Sequence, residues 1–231
     1  MKLTLFRRLA LVATLVALCV IVLGAWVRLT HAGLGCPDWP GCYGHLTVGQ
    51  ALQNAEHVNA AFPERPLEAG KALREMIHRY LATGLGLLIL AIAGVAWTNR
   101  RDPAQPVRLP GFVVMLVVFQ GLLGMWTVTL LLKPVIVTAH LLGGMMVVAL
   151  LTLLAMGEPG GWRRIAPPGA AGLARFALLL LVAQIALGGW TSSNYAALAC
   201  PDIPTCQGQW WPDDSNFAEG FVLWRGLGVN Y

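Results

Sequence analysis

Apolar residues along this chain fall in long unbroken blocks rather than at amphipathic spacing. A helix needs about 20 apolar residues to cross roughly 30 Å of hydrocarbon. The blocks at Leu9–Val27, Ile77–Trp97, Gly111–Leu131, Val135–Met156 and Leu173–Trp190 are long enough, so the pattern predicts five transmembrane helices. Lys2, Arg7 and Arg8 precede the first block, as they would in a secretory signal. That block is too long for a signal core, however, and it runs into Gly24-Ala25-Trp26-Val27-Arg28 with no small-residue cleavage site, so it reads as a retained helix.

Composition agrees with a bilayer as solvent. Of the 231 residues, 57% are hydrophobic and 12% charged, with a mean hydropathy of +0.64, too apolar for a water-soluble domain. The placement of Lys and Arg then sets the orientation, because positive residues in short loops stay on the cytoplasmic side. The N-terminus and the connections carrying Arg100, Arg101 and Arg108, and Arg163, Arg164 and Arg175, are basic and nearly free of acids, so they face inside. The first connection mixes Arg65, Lys71 and Arg74 with Glu56, Glu64 and Glu68; it faces outside together with Leu132-Lys133-Pro134 and the tail after Trp190. A net charge of +5 is thus explained by topology, and no nucleic-acid partner is expected.

Four of the five cysteines form two similarly spaced pairs, Cys36/Cys42 and Cys200/Cys206, both on the expected outer face, where disulfides persist. Each pair reads as a loop staple contributing roughly 2 kcal/mol on the chain-entropy model. A redox-active pair is the alternative, and it requires an exposed, reactive sulfur. Cys19 lies mid-membrane and is read as packing. The pairs belong to a longer repeat: Gly24-x-Trp26 leads into Cys36-Pro37-Asp38-Trp39-Pro40-Gly41-Cys42, and Gly188-x-Trp190 leads at the same offset into Cys200-Pro201-Asp202-Ile203-Pro204-Thr205-Cys206. A shorter echo joins Gln120-x-x-x-Gly124-x-Trp126 to Gln184-x-x-x-Gly188-x-Trp190. Interfacial anchoring by tryptophan and close helix approach at glycine account for these motifs without chemistry.

Candidate chemistry sits on the outside-to-inside helices. His78 and His140 each lie one or two turns inside an apolar run, where a charged group costs roughly 2.5 to 3.5 kcal/mol and an ionisable side chain is a functional candidate. Matching depth on parallel helices points to one iron held between them. Glu75-x-x-His78 has the spacing of di-iron carboxylate bundles, but the second such motif is missing. Copper and zinc ask for further ligands. Haem supplies four nitrogens itself and needs only axial histidines and an apolar pocket. Arg79 and Arg28 are candidates to pair with its propionates, interfacial snorkelling being the plainer reading of both. Glu75, one turn outward from His78 on the same face, is placed for proton transfer or for stabilising a cation.

Glu75-x-x-His78-Arg79, the Gly33 to Cys42 loop, Thr138-x-His140-Leu141 and the second Cys-Pro-Asp-x-Pro-x-Cys resemble the heme A synthase family from the first helix to the end of the chain. The resemblance implies an all-α polytopic membrane helical bundle with its N-terminus inside, set in the bacterial plasma (inner) membrane with the cysteine loops on the periplasmic side. Residues 1–160 would form a first four-helix transmembrane half with its outer loop at 28–76, and residues 161–231 the start of a second half with one helix and one loop. The implied reaction is oxidation of a methyl group of heme O to a formyl group, giving heme A for cytochrome oxidase. His78 and His140 would be axial ligands of the substrate haem, Glu75 the acid near the reacting side, and Cys36–Cys42 a disulfide tied to function. The family pattern continues beyond Tyr231 through three more helices with a second histidine pair, where heme b is expected. Implied partners are the lipid bilayer and heme O, with heme O synthase, cytochrome oxidase assembly factors and a homo-oligomeric copy as further candidates; the electron acceptor stays open. Two alternatives remain in view: a non-catalytic bis-histidine haem protein of electron transfer, and a membrane thiol-disulfide oxidoreductase working through the cysteine pairs.

Overall fold

The computed structural model describes residues 2–157, 170–196, 199–202, 204–211 and 220–224. The expected boundary at 160/161 and the inner-loop residues Arg163 and Arg164 lie outside the described residues. Described residues form helices only, in the order α1 (Lys2–Leu29), α2 (Val48–Gln53), α3 (Ala55–Ala61), α4 (Ala69–Thr98), α5 (Arg108–Thr129), α6 (Pro134–Met156) and α7 (Ala170–Ser193). Five of them are long and apolar enough to cross a membrane, as the hydrophobic blocks require. The molecule is a polytopic helical membrane bundle.

Helices α1, α4, α5 and α6 close a square. α1 packs on α4 and α6, and α5 packs on the same two helices, so α4 and α6 face each other across the diagonal without direct backbone contact. The inner half of the square is filled because α1 turns a stripe of small residues inward. Phe6, Ala10, Ala13 and Ala17 are buried against Leu85, Ile89, Ile92 and Ala96 of α4 and Val147, Leu151 and Leu154 of α6. Small side chains at helical spacing let three backbones approach closely, the main source of association where lipid is as apolar as leucine. Thr14 on the same stripe donates to the Ala10 carbonyl at 2.9 Å, which satisfies its hydroxyl within the helix. Cys19 points away from this core and is exposed on the bundle surface, contrary to its expected packing role. It falls two residues after Ala17, off the inward stripe.

Element ends depart from the hydropathy blocks in two places. α4 begins at Ala69, two turns before the apolar run at Ile77, so Arg74 and Glu75 ride on helix above the apolar stretch. α5 ends at Thr129 rather than Leu131, because Leu131 and Leu132 adopt left-handed φ values of 55° and 56°. Their N–H groups return to the Val128 and Thr127 carbonyls at 3.2 and 2.8 Å, closing α5 before Pro134 opens α6.

The outer connection between α1 and α4 folds into a small cap. Thr47 and Gln50 form a reciprocal capping box at the start of α2. Cys36, Cys42, Tyr43, Val48, Ala51 and Val58 are buried together with Ala72 and Met76 of α4. The Tyr43 hydroxyl donates to the Arg65 and Pro66 carbonyls at 3.2 and 3.1 Å, and burial, reinforced by Glu68, pushes its phenol above the ordinary range. α7 packs on α6, where Gly189 lies against Leu141 and Thr138. Much of its length, including Leu173, Phe176 and Leu179, is exposed.

The cap rests on α4 at Gly35, where a Cβ would come within 2.6 Å of the Lys71 carbonyl carbon. Backbone cannot yield there as a side chain can. Gly35→Ala is expected to destabilise the detergent-purified protein by about 1–3 kcal/mol. Thermal unfolding should show this beside Gly49→Ala, whose new Cβ meets only Thr47 Oγ1 at 4.0 Å and leaves the transition unchanged.

Candidate functional site

The outer end of α4 carries Arg74, Glu75, His78 and Arg79 on successive turns. Glu75 is 4% exposed, and each of its oxygens has a partner. Oε2 accepts from the Cys36 backbone N–H at 3.0 Å, and Oε1 pairs with the Arg79 guanidinium. The other Arg79 nitrogen, Nη1, donates to the carbonyls of Asp38, Pro40 and Gly41 at 3.0, 3.3 and 2.6 Å. One ion pair on α4 therefore grips both ends of the Cys36–Cys42 loop. A carboxylate this buried is tolerated because its charge is paired and its lone pairs are used.

His78 lies one turn inward from this pair. Its ring rests on α1 at Gly24, where the position of a Cβ would be 3.1 Å from Cε1, 3.6 Å from Nδ1 and 3.7 Å from Nε2. His140 of α6 rests in the same way on α5 at Gly124, at 3.5 Å from Cε1 and 4.0 Å from Nε2. Each Nδ1 is buried without a hydrogen-bond partner. The two imidazoles belong to helices that face each other across the diagonal of the square. Two half-buried imidazoles with buried, unpaired Nδ1 atoms on opposite sides of an apolar bundle have donor chemistry that fits a haem iron. The described residues hold no cluster of three or more His, Cys, Asp or Glu that would suit a bare metal ion.

The two arginines singled out from the sequence have protein partners. Arg79 serves the loop and Glu75, while Arg28 donates to the Ser192 carbonyl at the end of α7 and lies 4.1 Å over the Tyr195 ring. The sequence reading passed over Arg74. It precedes His78 by four residues on the same face of α4, its Nε is buried without a partner, and its guanidinium lies 5.6 Å from the centroid of Trp26. The i, i+4 spacing from His78 was the signal available for it.

Both cysteine pairs are disulfides, with Cα atoms 4.8 Å apart in Cys36–Cys42 and 4.6 Å apart in Cys200–Cys206. The loops repeat one another in detail. Asp38 accepts from the N–H groups of Tyr43 and Gly44 at 2.6 and 2.7 Å; Asp202 accepts from those of Gln207 and Gly208 at 2.6 and 2.9 Å. In both loops the second cysteine bridges to the residue three further on, His45 or Gln209. The Thr205 hydroxyl, with the Gly208 and Gln207 N–H groups, holds the Asp202 carboxyl below the ordinary range. Their surroundings differ: Cys36 and Cys42 are fully buried under the cap, whereas Cys200 is exposed and Cys206 half-buried. Thiol exchange at Cys36–Cys42 would need a nucleophile to enter a closed core, which disfavours the oxidoreductase alternative.

Residues 7–228 match the family described as cytochrome oxidase assembly protein (COX15-CtaA). The chain is 48% identical to a heme A synthase of Shewanella oneidensis, over 98% of this chain and 67% of that protein. The chain belongs to the heme A synthase family. It is also 30% identical to a heme A synthase of Rhizorhabdus wittichii (93% of this chain, 67% of that protein) and 28% identical to one of Shouchella clausii (94% and 69%). It spans about two thirds of the length of these heme A synthases. No solved structure matches it.

The contrast between the duplicated loops is directly measurable. Under a mild phosphine reductant followed by maleimide labelling and mass spectrometry, Cys200–Cys206 should open at least about tenfold faster than Cys36–Cys42, because access sets the exchange rate.

Proposed function

We propose that the chain carries out the heme A synthase reaction, oxidising a porphyrin methyl group of heme O to the formyl group of heme A. The observation that supports this most is the pair of half-buried imidazoles, His78 and His140, each with a buried, unpaired Nδ1 and carried by opposite helices of an apolar bundle. In this reading heme O is the substrate, and His78 of α4 and His140 of α6 are the residues that would hold its iron. Converting methyl to aldehyde through the geminal diol takes up one water and releases four electrons and four protons, and the electrons pass to an acceptor outside the described residues.

The residues of this chain would bind, orient and manage charge. Arg74 stands one turn outward of the His78 ligand with an unpaired Nε, so it is the guanidinium free to meet a propionate. Arg79 and Arg28 would act indirectly, holding the loop and the end of α7 in place. Glu75 is the acid closest in sequence to the His78 ligand, and its carboxylate would take up or stabilise the positive charge that develops as hydride or electrons leave the methyl carbon. The Cys36–Cys42 disulfide fixes the N–H that Glu75 accepts, which would tie the loop to the acid's position. The same arrangement suits a multi-pass protein of the bacterial plasma membrane with both disulfide loops on the periplasmic side, as the basic inner segments favour.

Two variants separate haem binding from chemistry. His78→Ala and His140→Ala should each abolish the six-coordinate haem spectrum of the purified protein. Glu75→Gln should keep that spectrum while lowering conversion of heme O by about 10²-fold or more, read by chromatography of extracted pigments. Full conversion by Glu75→Gln would remove the acid from the mechanism, and an unchanged spectrum in both histidine variants would remove the haem site.

A further inference from the structure

The glycine of each Gly-x-Trp motif has a structural meaning that membrane anchoring does not explain. Gly24, Gly124 and Gly188 stand five residues before the ends of α1, α5 and α7, at Leu29, Thr129 and Ser193. Among the described residues outside the glycine's own helix turn, the three atoms nearest to a would-be Cβ at Gly24 all belong to the His78 ring, those within 4 Å at Gly124 belong to the His140 ring, and at Gly188 there is none. The residue four positions earlier is Val20 in α1 and Gln120 in α5. In a helix, the carbonyl of residue i−4 is the one that accepts from the glycine's own N–H, and a missing side chain leaves it open to a second donor.

We propose that Gly24 and Gly124 are paired notches that seat the two imidazoles and set their orientation towards a common iron, an inference that rests on the haem reading above. Helix pairs α1/α4 and α5/α6 are then two copies of one device. One helix supplies the histidine; its neighbour supplies a bare stretch of backbone against which the ring packs, with a carbonyl at hand for one ring nitrogen while the other stays available to the metal. A metal-bound histidine is ordinarily oriented by such a second donor–acceptor contact, and disturbing it typically costs 10- to 100-fold in affinity. Gly24 and Gly124 are positioning residues, since they act through the imidazoles.

The seats differ in tightness, and this yields an ordered set of outcomes. At Gly24 an added methyl at 3.1 Å must displace the ring; at Gly124 one at 3.5 Å is in ordinary contact, so a larger side chain is needed to displace it. The detergent-purified protein would be titrated with hemin, following Soret absorbance for affinity and ferric electron paramagnetic resonance for ligand geometry. Gly24→Ala and Gly124→Val are expected to weaken hemin binding at least about tenfold and to replace part of the low-spin signal with high-spin iron. Gly124→Ala and Gly188→Ala are expected to stay within twofold of the parent in both readouts. Alanine and valine are better helix formers than glycine, so a loss at these positions does not come from the helix backbone. A second variant checks that the added Cβ is the cause: Gly24→Ser carries the same Cβ with a hydroxyl that can bond within its own helix, and it should reproduce the Gly24→Ala spectrum, while an unchanged thermal unfolding transition in both variants excludes global misfolding. Parent-like affinity and signal in Gly24→Ala and Gly124→Val would overturn the notches, as would equal damage from Gly188→Ala. If His78→Ala and His140→Ala abolish binding while the glycine variants do not, the notches alone fail; if the histidine variants also bind hemin normally, the haem reading fails with them.

Discussion

The outer end of this molecule depends on a single part-buried guanidinium. Arg79 neutralises Glu75 and at the same time donates to three loop carbonyls, those of Asp38, Pro40 and Gly41. Glu75 in turn receives the Cys36 N–H. The apolar cluster of Tyr43, Val48, Ala51, Val58 and Met76 closes over these groups, so water cannot compensate for a missing partner. Breaking one member of such a network is far more costly than its net contribution suggests, because the others are left buried and unpaired. The disulfide reinforces this arrangement from outside by shortening the loop that the guanidinium must hold.

Below that layer the bundle changes character. Its inner half is close-packed through the alanine stripe of α1. Its outer half is held apart by two imidazoles and by side chains lying on glycine, as Gln120 lies on Gly143. The unpaired atoms gather there as well: Arg74 Nε, His78 Nδ1, Gln120 Nε2, Thr138 Oγ1 and His140 Nδ1. Folded proteins seldom leave buried polar atoms without partners. Their concentration between the helices of one half of a membrane bundle, next to the Glu75–Arg79 pair, marks out the candidate site.

Internal duplication runs through both layers. The two disulfide loops share their aspartate caps, their bridges and their left-handed residues, Tyr43 and Gly44 in one and Gln207 and Gly208 in the other. Local hydrogen bonding is enough to build this loop, since it forms both under the α2–α3 cap and in the exposed position after α7. What the cap adds is burial of the sulfurs and the grip of α4. Family membership and internal repetition thus describe the same unit at two scales.

Much of the architecture was legible in the order of residues. Runs of twenty apolar residues must be helices that span, because no other backbone arrangement satisfies its own polar groups in hydrocarbon, and the five spans followed from length alone. Histidines within such runs announce themselves by their cost. Helix ends and the cap were harder to read. Hydropathy is silent where a helix emerges into polar surroundings, so the first two turns of α4 were missed, and with them the i, i+4 relation that brings Arg74 over His78. α2 and α3 were hidden in a mixed-charge connection whose one local signal was the Thr47 and Gln50 capping box. Partner choice was decided only by the tertiary structure: that Arg79 turns to the loop, that Arg28 turns to α7, that Cys19 faces outward, and that glycines 24 and 124 lie beneath the histidines. Sequence determines which groups need a partner, through their charge and the solvent around them; which partner each one finds depends on the distances set by helix packing, and those exist only once the chain has folded.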